Sequence, residues 1–339
     1  MRRCGPGDPP DPGGVLVLAA VHLQRLHPRG DEVKRATIAE IADELGWRPS
    51  LAAKSLSGSK AHSVGLVLAR PADTLGVEPF FMRFISGLER ELSGQRVALQ
   101  LQVVEDHRVA IGAMRAWWAE RRVDGFVVTD LWADDARIPV LDELGVPAVL
   151  AGRPLGGPRT GSVWTDDAAA VQSTVDYLVA LGHRRIARVA GLPALDHTQV
   201  RIAAFRDVMH RHGLTDPVVV ETDYTGAEGA RATRTLLSRR DRPTAIMFDN
   251  DVMAIAALNV AQEMSVAVPG ELSIVAGDDS QLCDLVRPAL TALSRDIPAY
   301  GLSTARVLLD MIDGKPPRSH QEATARLIVR GSTAAAPPA

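Results

Sequence analysis

Cysteine is nearly absent: only Cys4 and Cys283 occur in 339 residues. Two thiols that far apart give neither a disulfide framework nor the spacing of a metal site, and such usage suits a reducing cytosol. A strong charge of one sign is missing too. With 38 basic against 41 acidic residues the formal net charge is −3, so any anion-binding role must rest on a local patch. No apolar run reaches the ~18 residues that a membrane span needs. The opening "MRRCGPGDPPDPGGVLVLAAVHL" has early arginines and a short apolar run, but prolines and glycines separate the two, and it reads poorly as an export signal. There is no GxSxG elbow, no HExxH, no phosphate-binding loop, and no GxGxxG opening a helix after a strand. Catalytic residues, metal ligands and a cofactor are therefore not expected, and the chain is not expected to be an enzyme. A pair of carboxylates facing one glycosidic bond cannot be read from spacing in either direction.

Hydrophobic residues at 46% and charged residues at 23% are ordinary for a globular protein, and the length suits two or three units. From Ser63 onward, apolar β-rich runs alternate with helical patterns. One series holds "SVGLVLA", "RVALQLQVV", "VDGFVVTD" and "VPAVLAG"; a second holds "SVWTD", "RRIARVAG", "PVVVETD", "PTAIMFDN" and "ELSIVAGDD". Between them "FMRFISGLERELSG", "AAAVQSTVDYLVALG", "RIAAFRDVMHRHG" and "DVMAIAALNVAQEM" carry apolar residues at three- and four-residue spacing. Continuous apolar strands alternating with helices predict an α/β fold of two doubly wound parallel-sheet subdomains. Ligands in such sheets bind beyond the carboxyl ends of the strands. Asp130, Asn250 and Asp278 stand at those ends. Asn250 and Asp278, first out of their strands, are expected to face a cleft, whereas Asp251 and Asp279 read as helix caps.

Upstream, "DEVKRATIAEIADELG", residues 31–46, reads as one helix with a Gly46 stop, and Pro49 and Ser50 end it and open a short "LAAKSL" helix. No acidic residue occurs from Leu45 to Ala72.

These segments together resemble the lactose-repressor (LacI) family of transcriptional regulators. "ELGWRPSLAAKSLSGSKAHSVGLV" resembles the family's third helix, hinge helix and first core strand. "EPFFMRFISGLERE", "RRVDGFVV", "LGVPAVLAGRP", "LGHRRIARVAG", "RIAAFRD", "FDNDVMAIAAL", "VPGELSIVAGDD", "PALTAL" and "RLIVRGST" follow in the family's order. Each motif is weak; the ordered set is specific. The resemblance implies a cytoplasmic homodimer that binds operator DNA, with a helical DNA-binding and hinge segment before a core like a periplasmic sugar-binding protein. It implies a third helix and hinge over 31–61, one subdomain from 62–161 with 292–323, and another from 162–291 with 324–339. A small effector, a sugar or sugar-like molecule, would bind in the cleft and control operator affinity, most simply in a repressor.

On that reading "LAAKSL" suits a DNA minor groove. Ala53 and its neighbour Ala52 allow close approach of paired hinge helices, and Leu56 can wedge a base step. Arg48, Ser50, Lys54 and Lys60 complete the DNA-facing set, the cations neutralising phosphates. In the cleft the resemblance assigns effector contacts to Phe80, Phe81, Arg201, Tyr224, Asn250 and Asp278, with Trp132 and His197 beside them; aromatic faces can stack on a ring and a guanidinium offers a multi-donor fork. Gly152 stands where many relatives carry Asp, so one effector contact is expected to be absent; Gly277 stands where an aromatic is usual, which predicts a larger pocket there. Residues 1–30 lack the family's two amphipathic helices joined by a turn. The expectation is a shifted reading frame or misplaced start in that segment. Two further readings follow from it: a family member without specific DNA binding, or an exported sugar-binding protein.

Overall fold

The computed structural model describes residues 60–70 and 78–338. The expected helix of residues 31–46, the segment 1–30, and Arg48, Ser50, Ala53, Lys54 and Leu56 lie outside the described residues. Lys60 lies inside them; it is half-exposed and paired with Asp313 at 2.5 Å.

The first sheet is built from β1 (Ser63–Ala69), β2 (Ala98–Val104), β3 (Phe126–Val128), β4 (Ala148–Ala151), β5 (Thr160–Trp164) and β11 (Ser319–Gln321), in the order β11-β5-β4-β3-β1-β2, with every pairing parallel. The second holds β6 (Ile186–Ala190), β7 (Val218–Glu221), β8 (Ala245–Phe248), β9 (Ser273–Ala276), β10 (Thr291–Ser294) and β12 (Arg326–Ile328), ordered β12-β10-β9-β8-β6-β7, with only β12 antiparallel. Burial explains why these strands read as unbroken apolar runs. In β1, Val64, Leu66 and Leu68 face one helix layer and Val67 the other, so a side chain on either face meets a core.

Helices α1 (Pro79–Gly94) and α9 (Ile297–Ile312) cover one face of the first sheet, and α2 (His107–Ala119) and α3 (Arg137–Leu144) the other. On the second sheet α4 (Asp167–Ala180) and α5 (Asp196–Arg211) lie opposite α6 (Gly226–Leu237) and α7 (Asp251–Glu263); α8 (Gln281–Leu285) is a single turn. Short polar side chains start several of these helices. Asp106, Asp166, Thr225, Asn250, Ser280 and Asp296 each accept a backbone N–H from the first turn.

The backbone passes between the sheets after β5, after β10 and after β11. The expected boundaries at 161/162 and 291/292 fall inside β5 and β10, and the chain leaves each sheet only where that strand ends. In each sheet the strand order reverses beside its first strand, at β1/β3 and at β6/β8. The carboxyl ends at such reversals open a crevice between diverging connections.

Candidate functional site

A cavity of about 420 Å³ lies beyond the carboxyl ends of both sheets. Residues from the three crossing segments line it, including Thr165, Asp166, Arg295, Asp296, Glu322 and Ala323. The two strand-order reversals supply its floor. Arg70 follows β1 and Asp130 lies just past β3; Asp249 and Asn250 follow β8.

Arg70 is 5% exposed. It donates to both Asp130 oxygens at 2.7 and 3.1 Å and to Glu78 at 3.1 Å. Its guanidinium sits 5.3 Å from the Phe81 ring centre and 5.0 Å from that of Tyr224, within cation–π range. Burial alone would lower the Arg70 pKa, but Asp130 and Glu78 outweigh it and hold it above its ordinary value. Asp130 responds in the opposite sense: burial would raise it, and Arg70 holds it low. Glu78 has no such full compensation. Burial pushes its carboxyl up to about 7, against the pull of Arg70 and of the Asn250 amide 3.4 Å away.

A second charged group lies across the cavity. Arg201 donates to Asp167 at 2.9 and 3.0 Å, and Arg295 reaches the same oxygen at 3.4 Å. Asp278 stands 3.8 Å from Arg295 Nε, and burial raises its pKa. The Tyr224 hydroxyl lies 2.9 Å from His197 Nε2 and 3.0 Å from Thr198 Oγ1. Burial, with Arg201 nearby, pulls His197 down to about 4, so it is a neutral imidazole at pH 7. Below the floor, Arg188 pairs with Asp249, whose other oxygen accepts the Gly191 N–H at 2.8 Å.

Seven of the eight residues expected in the cleft line this cavity: Phe80, Phe81, His197, Arg201, Tyr224, Asn250 and Asp278. Trp132 does not. Its N–H is held by Asp135 at 3.1 Å, its backbone bridges to Leu195, and its indole packs on His107 at 4.1 Å, leaving it 41% exposed outside the lining. Asn250 faces the cavity and also caps α7, its Oδ1 accepting the Met253 N–H at 2.9 Å. Asp251 and Asp279 are not the caps they were expected to be. Asp251 is the first helical residue and lines the cavity, while Asp279 pairs with Arg330 at 2.8 Å and leaves Ser280 to cap α8.

Gly152 lines the cavity, but Gly277, expected to enlarge it, is not part of the lining. A Cβ on Gly277 would stand 2.3 Å from the Asp249 carbonyl oxygen. The glycine there lets the β9 end approach the β8 end, behind the cavity wall.

Arg70, Glu78, Asp130, Asp167 and Arg295 form the charged frame; of these the sequence marks only Asp130, as a strand-end residue, and none is assigned an effector contact. Arg70 falls in the acid-free stretch from Leu45 to Ala72 and carries no cleft assignment there. The available signal was position: Arg70 follows "LVLA", and Arg295 follows "TALS".

Glu78 makes stability depend on pH. Its pKa rises from 4.5 to about 7 in the folded chain, so the folded state holds the proton more tightly and stability falls as pH rises from about 4.5 through 7. Glu78→Gln removes that loss. The variant is expected to gain on the order of 1–3 kcal/mol over the parent on going from pH 4 to pH 8, read from urea midpoints at both pH values. An equal difference at the two pH values would rule the effect out.

Residues 175–333 match the family model described as a periplasmic binding protein-like domain. Among curated relatives, the HTH-type transcriptional regulator CelR of Thermobifida fusca is 30% identical over 315 residues, 89% of this chain and 91% of that one. The regulator AglR of Rhizobium meliloti is 30% identical over 92% of this chain and 89% of its own length. A LacI family regulator from Bifidobacterium animalis subsp. lactis superposes with a TM-score of 0.75 at 35% identity, covering 82% of this chain and all of that one. A transcriptional regulator CelR–cellobiose complex does so at 0.73 and 28% identity, over 90% of this chain and 92% of that one. With the doubly wound pair of sheets and the cavity between their carboxyl ends, these matches settle the assignment: the chain belongs to the LacI family of transcriptional regulators.

Proposed function

We propose that this regulator binds operator DNA as a homodimer, represses from it, and changes its affinity when a sugar fills the cavity. The observation that carries the reading is the cavity's construction. Both sheets and all three crossing segments supply its walls, so a ligand there contacts both subdomains and favours the arrangement that fits it. A solved relative is a CelR–cellobiose complex. Phe80 and Phe81 offer ring faces, and Arg201, Asn250, Asp278, Tyr224 and His197 offer polar contacts. The two subdomains, divided where β5, β10 and β11 end rather than at 161/162 and 291/292, would rotate about the crossings. Arg48, Ser50, Ala53, Lys54, Leu56 and Lys60 would carry the DNA contacts. Among the described residues no helix is long and apolar enough to cross a membrane.

Gel-shift titration at two salt concentrations, with and without a sugar panel, tests this. Specific binding released by one sugar is the expected result. Sugar binding in a thermal-shift assay with no specific DNA complex at either salt would instead support a regulator without a working reading head, in keeping with the unusual composition of residues 1–30. Sedimentation of the full chain checks the dimer.

A further inference from the structure

We propose that the cavity selects uncharged sugars and rejects sugars bearing a phosphate or carboxylate. The inference rests on the reading of the cavity as a sugar site and specifies which sugars it takes.

Carboxylates outnumber guanidiniums two to one in the lining. Most of the guanidiniums are already committed. Arg70 holds Asp130 and Glu78, Arg201 holds Asp167, and Arg153 holds both oxygens of Asp196 at 2.5 and 2.6 Å. Arg83 donates to the Asp279 carbonyl at 3.2 Å. An anionic ligand that took the N–H groups Arg70 and Arg201 now give to carboxylates would leave buried negative charge without its cation. Anion sites in proteins are built the other way, with donors aimed at open space.

One place in the wall shows what the cavity is built to accept. Arg295 Nε is buried with no hydrogen-bond partner among the described residues. The Asp278 carboxylate faces it 3.8 Å away, beyond hydrogen-bonding range. A hydroxyl is both donor and acceptor. Placed there, it accepts from Arg295 and donates to Asp278, satisfying both. A phosphate or carboxylate oxygen can accept from Arg295 but has no proton for Asp278, and two negative groups then share a water-poor wall. Burial raises the pKa of both Asp278 and Glu78, so each is a costly neighbour for a second negative charge. A sugar brings several O–H donors; its phosphorylated or oxidised counterpart exchanges one of them for a group that only accepts.

Calorimetric titration of the full chain tests this with matched sets: glucose, glucose 6-phosphate and glucuronate; galactose, galactose 1-phosphate and galacturonate; trehalose and trehalose 6-phosphate; cellobiose and cellobiose 6-phosphate; maltose and maltose 6-phosphate. The expected result is binding by at least one neutral sugar. A charged counterpart present in the panel should bind at least about a hundredfold more weakly. Asp278→Asn keeps the size of the side chain and removes the repulsion, so it should shrink that ratio by about tenfold or more. A charged member binding as tightly as its neutral counterpart, or an unchanged ratio in Asp278→Asn, overturns the selectivity while leaving the sugar site standing. No binding by any sugar in the panel would remove the sugar site itself, and the selectivity with it.

Discussion

Replacing Arg137 with alanine is expected to destabilise the chain by about 3–5 kcal/mol, the range for a buried ion pair that loses one partner. Arg137 is 1% exposed and its partner Asp135 5%. The guanidinium donates to Asp135 at 2.9 and 2.6 Å and to the carbonyls of Thr129 and Asp130, both at 2.9 Å. Alanine strands the Asp135 charge and leaves two buried carbonyls without that donor, and each of these costs energy separately. Lysine should recover little, because an ammonium lacks the planar fork that spans these acceptors. The damage should reach the cavity as well. Asp130 has φ of 50°, a region that costs a non-glycine residue energy and persists where neighbours fix it. Its carbonyl is held by Arg137 and its carboxylate holds Arg70. Urea denaturation gives the stability change, and a loss below about 1 kcal/mol, the scale of an exposed pair, would contradict this account.

The second large effect is expected at Gly191. A Cβ there would stand 1.8 Å from Cζ of Tyr224 and 2.1 Å from Cε2. Tyr224 is 4% exposed, so the ring cannot move outward without surrendering its place in the wall. Gly191→Ala should cost about 1–3 kcal/mol by overpacking. It should also separate the tyrosine hydroxyl from His197 and Thr198 and withdraw the ring face from Arg70. Tyr224→Phe in the same assays separates the two consequences, since it removes the hydroxyl contacts and keeps the ring. If Gly191→Ala matches the parent in both thermal stability and ligand response, the ring is more mobile than its packing indicates.

The alternation of apolar runs and amphipathic segments made the two-sheet fold legible, because a strand buried on both faces has little room for polar side chains. The polar residues at strand ends were legible for the same reason: Asn250 and Asp278 each stand two positions past the last apolar residue of a strand. Trp132 was misplaced because its side-chain direction depends on a turn fixed by Asp135, which periodicity does not encode. Asp279 was misread because its partner, Arg330, lies in the last strand region, far along the chain. Arg70 was missed as a cleft residue because a cation after a small-residue stretch carries no sign of whether a carboxylate sixty positions on will meet it. The Gly277 departure could not be interpreted without knowing that a backbone carbonyl occupies the space.

The pairing of α1 with α9 bears on how the chain is made. Phe84 and Leu88 in α1 are buried against a helix that begins at Ile297, with Tyr300 5.3 Å from the Phe84 ring. A ribosome delivers the second helix about 200 residues after the first, roughly 10–40 s later at about 5–20 residues per second. For that interval one face of the nascent first sheet is covered by α1 alone, and a product terminated before α9 would keep it so. The second sheet also lacks β12 until then. Synthesis therefore completes both halves almost together, and a chaperone that shields apolar surface has its longest task on the face that α9 will cover.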